Sequence, residues 1–184
     1  MINYRLTTWT ESNNILEEEQ NGFRKGHSTV DHLVSFANLI ESRKLRKLDT
    51  FVAYIDFSAA YDRINRNFLW QKLECLGLNG NIMNAVKSLY CNVECCVKLG
   101  SSNLTTEWFN VNSGLRQGCL VLPLLFNIYI NDLAKTIKQE CNGIRLHGDN
   151  KVCLMMYADD IVFVSESEEE LQGMLSTLEK WCKT

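Results

Sequence analysis

Two hydrophobic rhythms alternate along the chain, and the switches between them mark its elements. Residues 1–26 carry little periodicity, and Gly22 and Gly26 bracket a short basic loop, Gly22-Phe23-Arg24-Lys25-Gly26. Val30, Leu33, Val34, Ala37 and Ile40 then recur at helical spacing, and Ser28 placed ahead of Asp31 predicts the cap of that helix. Residues 50–55 form a short β-branched apolar run that ends at Asp56, the pattern of a buried strand with a carboxylate at its tip. Helical spacing returns with Leu69, Leu73 and Leu76, stops at Gly77, and resumes with Ile82, Val86 and Leu89.

Val93, Cys95 and Val97 alternate with Glu94, Cys96 and Lys98, and Gly100-Ser101-Ser102-Asn103 supplies a turn into a second extended stretch at 106–111, which predicts a hairpin. Pro123 marks the start of a helix carrying Leu124, Leu125, Ile128, Tyr129 and Ala134. Two apolar strands, 153–156 and 161–164, flank Tyr157-Ala158-Asp159-Asp160 as a second hairpin. Ser167-Glu168-Glu169-Glu170 reads as a capping box for a closing helix whose face is Leu171, Met174, Leu175, Leu178 and Trp181. Strands interleaved with helices in this order predict an α+β fold, an antiparallel sheet backed by helices on one face.

Composition narrows the classes. A chain of 184 residues with 46% hydrophobic content can bury a core as one domain. No internal repeat, low-complexity segment or linker divides it. The net charge of −3 argues against an autonomous nucleic-acid binder. Arg24, Lys25, Arg43, Lys44, Arg46 and Lys47 form a basic stretch, and Glu166, Glu168, Glu169 and Glu170 an acidic knot; both read as solvated surface. The eight cysteines (75, 91, 95, 96, 119, 141, 153 and 182) include no CxxC pair and no zinc-finger spacing, which predicts reduced, mostly packed thiols. Neither a signal peptide nor a run of about eighteen apolar residues is present, so the expectation is an intracellular protein without a membrane partner.

Three acids sit where a purely structural account is awkward. Asp56 ends an apolar strand, and Asp159 and Asp160 lie side by side between two more. Adjacent carboxylates repel, and in a partly dry site a bridging divalent cation removes that cost. Oxygen-rich sites with few protein ligands suit Mg²⁺, and two ions about 4 Å apart suit in-line phosphoryl displacement.

Four segments, in order, carry a resemblance. Gln20-Asn21-Gly22-Phe23-Arg24-Lys25-Gly26-His27-Ser28-Thr29 is similar to a fingers motif, and Asp56-Phe57-Ser58-Ala59-Ala60-Tyr61-Asp62 to a first palm motif. Gly114-Leu115-Arg116-Gln117-Gly118-Cys119, followed by residues 123–133, looks like the intervening motif, and Tyr157-Ala158-Asp159-Asp160 resembles a YxDD box. Together they resemble the reverse transcriptases of non-LTR (LINE-like) retrotransposons. The chain departs from that pattern at Leu122, where a serine is usual before Pro123, and at Lys25 and His27.

The resemblance implies an antiparallel, RRM-like palm sheet at 50–184, partial fingers at 1–49, and a domain fragment lacking the lysine-bearing palm motif and the thumb. It implies RNA-directed DNA polymerisation, weak or absent in an isolated fragment, with an RNA template, a DNA primer, dNTPs and the remainder of the retrotransposon polyprotein as partners. Asp56, Asp159 and Asp160 would be catalytic and, with the Phe57 carbonyl, would hold two Mg²⁺ ions, with Mn²⁺ as substitute. Arg24 would meet the triphosphate, Ala60 would be substrate-binding, Tyr61 would lie under the nucleotide sugar and select deoxynucleotides, Gln117 would lie near nucleotide and template, and Arg116 would touch the template backbone. The alternatives are a group II intron or retron enzyme, and a catalytically silent retroelement-derived binding or scaffold module.

Overall fold

The computed structural model describes residues 1–100, 104–146, 148 and 150–183. The predicted turn at 100–103 therefore falls mostly outside the described residues. Two compact units are built from interleaved segments: Met1–Trp9 with Ala59–Leu122, and Thr10–Ser58 with Pro123–Thr184.

The second unit is organised by a three-stranded antiparallel sheet. β1 (Phe51–Ile55) pairs with β7 (Asp160–Ser165), and β7 with β6 (Leu154–Tyr157), giving the order β1-β7-β6. One sheet face carries Val52, Val162, Val164 and Met155, which pack against Phe36 and Leu39 of α2 (Thr29–Leu45). The other carries Leu154, Met156, Ile161 and Phe163, all exposed by 1% or less. The antiparallel sheet with helices packed on it agrees with the α+β expectation, and full burial of the second face explains why β6 and β7 read as continuous apolar runs. α5 (Leu122–Glu140) is buried around most of its circumference, and α6 (Glu168–Cys182) buries Met174, Thr177 and Leu178. A small hairpin, β4 (Ile144–Arg145) with β5 (Lys151–Val152), completes the unit.

Two helices depart from their sequence pattern. α1 (Ile2–Ser12) was not expected; its Ile2, Leu6 and Trp9 have helical spacing, but Thr7, Thr8 and Thr10 are weak helix formers that dilute the signal. α2 begins at the predicted capping box, with the Ser28 hydroxyl accepting from the Asp31 N–H at 3.3 Å and the Asp31 carboxylate accepting from the Ser28 N–H at 2.7 Å. Its predicted apolar face is turned outward, however. Val30, Leu33 and Val34 are each more than half exposed, while Leu39 and Arg43 are buried. Directional bonds set this rotation: Arg43 donates to the Thr50 hydroxyl at 2.8 Å and to the Glu166 carboxylate at 3.0 Å, and His32 reaches the Met156 carbonyl at 3.1 Å.

The acidic knot is likewise less solvated than expected. Glu166 pairs with Arg43, and Glu170 accepts from the Asn142 and Gly143 N–H groups at 3.0 and 2.7 Å. The Ser167 hydroxyl caps α6 through the Glu170 N–H at 3.2 Å, but the Glu170 carboxylate does not return the bond to Ser167. All eight cysteines are free; Cys141 and Cys153 are buried, whereas Cys75, Cys91, Cys95 and Cys182 are exposed, which corrects the expectation of mostly packed thiols. Among the described residues no helix is long and apolar enough to cross a membrane.

The first unit holds α3 (Arg66–Cys75), α4 (Gly80–Ser88) and the two-residue strands β2 (Glu94–Cys95) and β3 (Phe109–Asn110). Asn65 caps α3 by accepting from the Asn67 and Phe68 N–H groups. Leu69, Leu73, Met83 and Val86 form its apolar interior. The organising polar group is Arg66, 9% exposed, whose guanidinium donates to the carbonyls of Gly114 (2.7 Å), Val111 (2.8 Å) and Ser113 (3.0 Å) and stacks over the Tyr90 ring. A planar fork of donors suits several carbonyls at once, which an ammonium cannot match.

Replacing Arg66 with Met keeps the apolar volume and strands those carbonyls. The expected outcome is a loss of about 3 kcal/mol, read from urea unfolding followed by tryptophan fluorescence. Arg66→Lys should recover less than half of it.

Candidate active site

The β1–β7 ladder runs from Phe51↔Ser165 to Ile55↔Ile161, with no bulge. Asp56 follows Ile55, the last paired residue of β1, and Asp160 precedes Ile161, the partner of Ile55 on β7. Tyr157 pairs with Asp160, so Ala158 and Asp159 are the two central residues of the β6–β7 turn. Asp56 and Asp160 are exposed and Asp159 is half-buried. Two strand ends and one turn thereby gather the three predicted acids at one end of the sheet. Among the described residues no group of three or more His, Cys, Asp or Glu side chains is drawn close enough to enclose an ion. Hard cations such as Mg²⁺ take one or two protein carboxylates and fill their remaining positions with water and substrate oxygens.

The turn is supported from behind. Ala158 has φ of +56°, a left-handed conformation that costs a residue with a Cβ about 1–2 kcal/mol. Residues 19–21 lie along β6 as a short parallel addition: the Met156 N–H donates to the Glu19 carbonyl at 2.8 Å and the Asn21 N–H to the Met156 carbonyl at 2.9 Å. The Gln20 side chain, 1% exposed, then continues where the backbone bonds stop. Its Oε1 accepts from the Ala158 N–H at 2.8 Å, and its Nε2 donates to the Ala158 carbonyl at 3.3 Å. Gly22 follows so closely that a Cβ there would lie 2.3 Å from the Ala158 nitrogen.

Two asparagines one turn apart on α5 fasten this segment. Asn127 donates to the Gly22 carbonyl at 2.6 Å; Asn131 donates to the Ile15 carbonyl and accepts from the Glu17 N–H, both at 2.8 Å. Sequence reasoning assigned no role to Gln20, Asn127, Asn131 or His32. The available signal was the pair of amides, four apart, interrupting the apolar first half of the helix.

Arg24 also belongs to this segment, and its guanidinium is occupied. It pairs with Glu11 at 3.1 Å and donates to the carbonyls of Glu17 and Gln20, with 8% of its side chain exposed. In this conformation it ties residues 11–20 together and has no donor arm directed to solvent chemistry.

Ala60, Tyr61 and Gln117 lie in the first unit. A turn over 58–63 is closed by the Asp62 and Arg63 N–H groups, both donating to the Ala59 carbonyl. The glycine-flanked loop is stitched to it: the Leu115 N–H donates to the Tyr61 carbonyl at 2.8 Å and the Gly114 N–H to the Ile64 carbonyl at 2.9 Å. Gly114, with φ of +75°, packs within 2.6 Å of the Asp62 carbonyl where a Cβ would stand, so glycine is required. Gln117 reaches the Asp62 carboxylate at 3.3 Å. Ala60 and Tyr61 are half-buried, and Gln117 and Arg116 exposed.

The family model described as reverse transcriptase (RNA-dependent DNA polymerase) matches residues 1–184. The probable RNA-directed DNA polymerase from transposon BS of Drosophila melanogaster is 28% identical over all of this chain and a fifth (20%) of its own length. The Pol polyprotein of the type-1 retrotransposable element R2 of Nasonia vitripennis is 24% identical over 90% of this chain and 16% of that one. A 149 kDa protein of transposon TX1 from Xenopus laevis is 23% identical over 86% of this chain and 12% of its length. The chain thus spans a fifth or less of these relatives. Among solved structures, telomerase from Candida albicans, in complex with a fragment of telomeric RNA, superposes with a TM-score of 0.65 at 15% identity, over 97% of this chain and 31% of that one.

His32, half-buried behind β6, makes the support sensitive to acid. Burial lowers its pKa, against the Met156 carbonyl bond and the nearby Asp31 that raise it, with His27 adding to the depression. The unfolded chain therefore takes up this proton first, near pH 6.5, and stability falls as pH drops from there toward the lower folded value. In urea titrations from pH 7.5 to 5, the midpoint of the wild-type chain should fall more steeply than that of His32→Gln; parallel curves would refute this.

Proposed function

The chain belongs to the reverse transcriptase (RNA-dependent DNA polymerase) family, and from that premise we propose that it supplies the palm, with part of the fingers, of a non-LTR retrotransposon polymerase that extends a DNA primer on an RNA template. On this reading residues 1–49 correspond to fingers and 50–184 to palm. The observation that supports it is the β1–β7 register, in which the end of β1 before Asp56 pairs with the start of β7 after Asp160, with Asp159 next along the chain. The retrotransposon relatives and the telomerase likeness support the same reaction class.

Asp56, Asp159 and the Phe57 carbonyl are the groups proposed to hold two Mg²⁺ ions, with Asp160 completing the cluster. When bound, such ions ease deprotonation of the primer 3′-hydroxyl and neutralise charge on the leaving pyrophosphate. The protein's own contribution is positioning. Tyr61 gives the nucleotide sugar a flat ring to rest on, where a 2′-hydroxyl would collide. Gln117, carried on a loop pinned to the Tyr61 carbonyl, faces base or template. Arg24 meets the triphosphate by exchanging Glu11 for phosphate oxygens, a like-for-like trade for a bidentate donor. No covalent enzyme intermediate is needed.

Primer extension on an RNA template with dNTPs and Mg²⁺ tests the reading. Asp56→Asn and Asp159→Asn should each reduce synthesis at least about a hundredfold, the scale of removing a metal ligand. Tyr61→Ala should raise ribonucleotide use relative to deoxynucleotide by about tenfold or more. Mn²⁺ affinity, followed by electron paramagnetic resonance, gives a readout independent of turnover; unchanged affinity in both aspartate variants would overturn the assignment.

A further inference from the structure

We infer that Gln20 is a positioning residue for the carboxylate hairpin: its amide holds Ala158 in the left-handed conformation and so sets where Asp159 and Asp160 stand. The importance of that placement rests on the functional reading above, while the holding itself does not.

The argument begins with the turn. A two-residue hairpin loop with positive φ at its first position normally uses Gly, Asn or Asp, which accept that conformation cheaply. Alanine at 158 does not, and such strain persists only where surrounding structure over-determines it. The Tyr157↔Asp160 pair closes the hairpin but leaves the peptide groups of Ala158 without ladder partners. Gln20 supplies both, its oxygen meeting the Ala158 N–H and its nitrogen the Ala158 carbonyl. A single planar amide that satisfies both groups of one residue fixes its φ and ψ as an adjacent strand would.

The clamp is itself held. Gln20 Oε1 also accepts from the Gly22 N–H at 2.8 Å, which closes a tight loop within the segment and blocks amide rotation. Gly22 is anchored by Asn127, whose Oδ1 is buried with no partner among the described residues. Tolerating an orphaned acceptor in order to make this one donation indicates that the position of Gly22 matters more than full satisfaction of the amide. Phe23, next in line, is also left-handed (φ +57°), and its ring lies 6.2 Å from that of Tyr157. Strained residues thus adjoin on both sides of the contact, at the turn that carries two acids.

The test uses the whole 184-residue chain and four variants: Gln20→Leu, Gln20→Asn, Gln20→Leu with Ala158→Gly, and Asp159→Asn. Without metal, NMR signals of Asp159 and Asp160 should shift or broaden in Gln20→Leu while those of α6 stay in place. Mn²⁺ affinity should fall about tenfold, as for loss of a group that orients a metal ligand. Glycine at 158 adopts the left-handed turn unaided, so adding Ala158→Gly should regain at least about threefold of that affinity. Should Gln20→Leu fail to fold, Gln20→Asn, too short to span both groups, takes its place with the same expectations. Unmoved Asp159 and Asp160 signals, or no recovery with glycine, would overturn the inference. If Asp159→Asn binds Mn²⁺ like wild type, the metal reading fails instead, and the NMR arm still decides whether Gln20 holds the turn.

Discussion

The antiparallel pairing of β1 with β7 is the constraint on which the candidate site depends. Because side chains alternate between faces, a slip of one residue would send every buried residue of the strand to the opposite face. Here Ile161 and Phe163 are fully buried on one face, while Val164 is buried and Val52 partly buried on the other, where Tyr54 is exposed, so a slip would move Ile161 and Phe163 toward the more open face. Pairing along five residue pairs sets the strand ends next to which Asp56 and Asp160 lie in the chain. Asp56 and Asp160, both exposed, stand at those ends.

The two units reach precision by different physics. In the sheet-containing unit, backbone pairing positions the acids, and side-chain amides of Gln20, Asn127 and Asn131 secure the adjoining segment. In the other unit, strands are only two residues long and cannot specify a loop. A buried cation does so instead. Arg66 gathers the carbonyls of residues 111, 113 and 114, and that loop bonds back to Tyr61 and Ile64. Asp62 and Gln117, 55 positions apart in sequence, meet at 3.3 Å on the loop held this way.

What could be read from sequence follows the range of the interactions involved. The strands before Asp56 and around Asp159-Asp160, the cap at Ser28 and the helix after Pro123 depend on local periodicity and local bonding, and the structure contains all of them. The outward rotation of α2 depends on His32 and Arg43 finding partners more than 120 residues away, Met156 and Glu166. Hydrophobic spacing does not register such partners, so the apolar stripe of Val30, Leu33 and Val34 pointed to the wrong face. The acids of the candidate site were legible because apolar flanks made them anomalous; the amides behind them were not, because an isolated Gln or Asn in a sequence implies nothing about what it will bond.

Arg24 illustrates how the two kinds of residue meet. Its motif suggests a group that greets phosphate, yet its fork is closed on Glu11 and on the carbonyls of Glu17 and Gln20. These roles are compatible. A guanidinium kept nearly dry must be paired, since an unpaired buried charge costs several kcal/mol. The exposed partner, Glu11, is the cheaper one to exchange, because its carboxylate regains water on release. The bond to the Gln20 carbonyl could persist through such an exchange, and Gln20 is the residue whose side chain grips Ala158. A phosphate replacing Glu11 would therefore bear, through one shared residue, on the turn that carries Asp159.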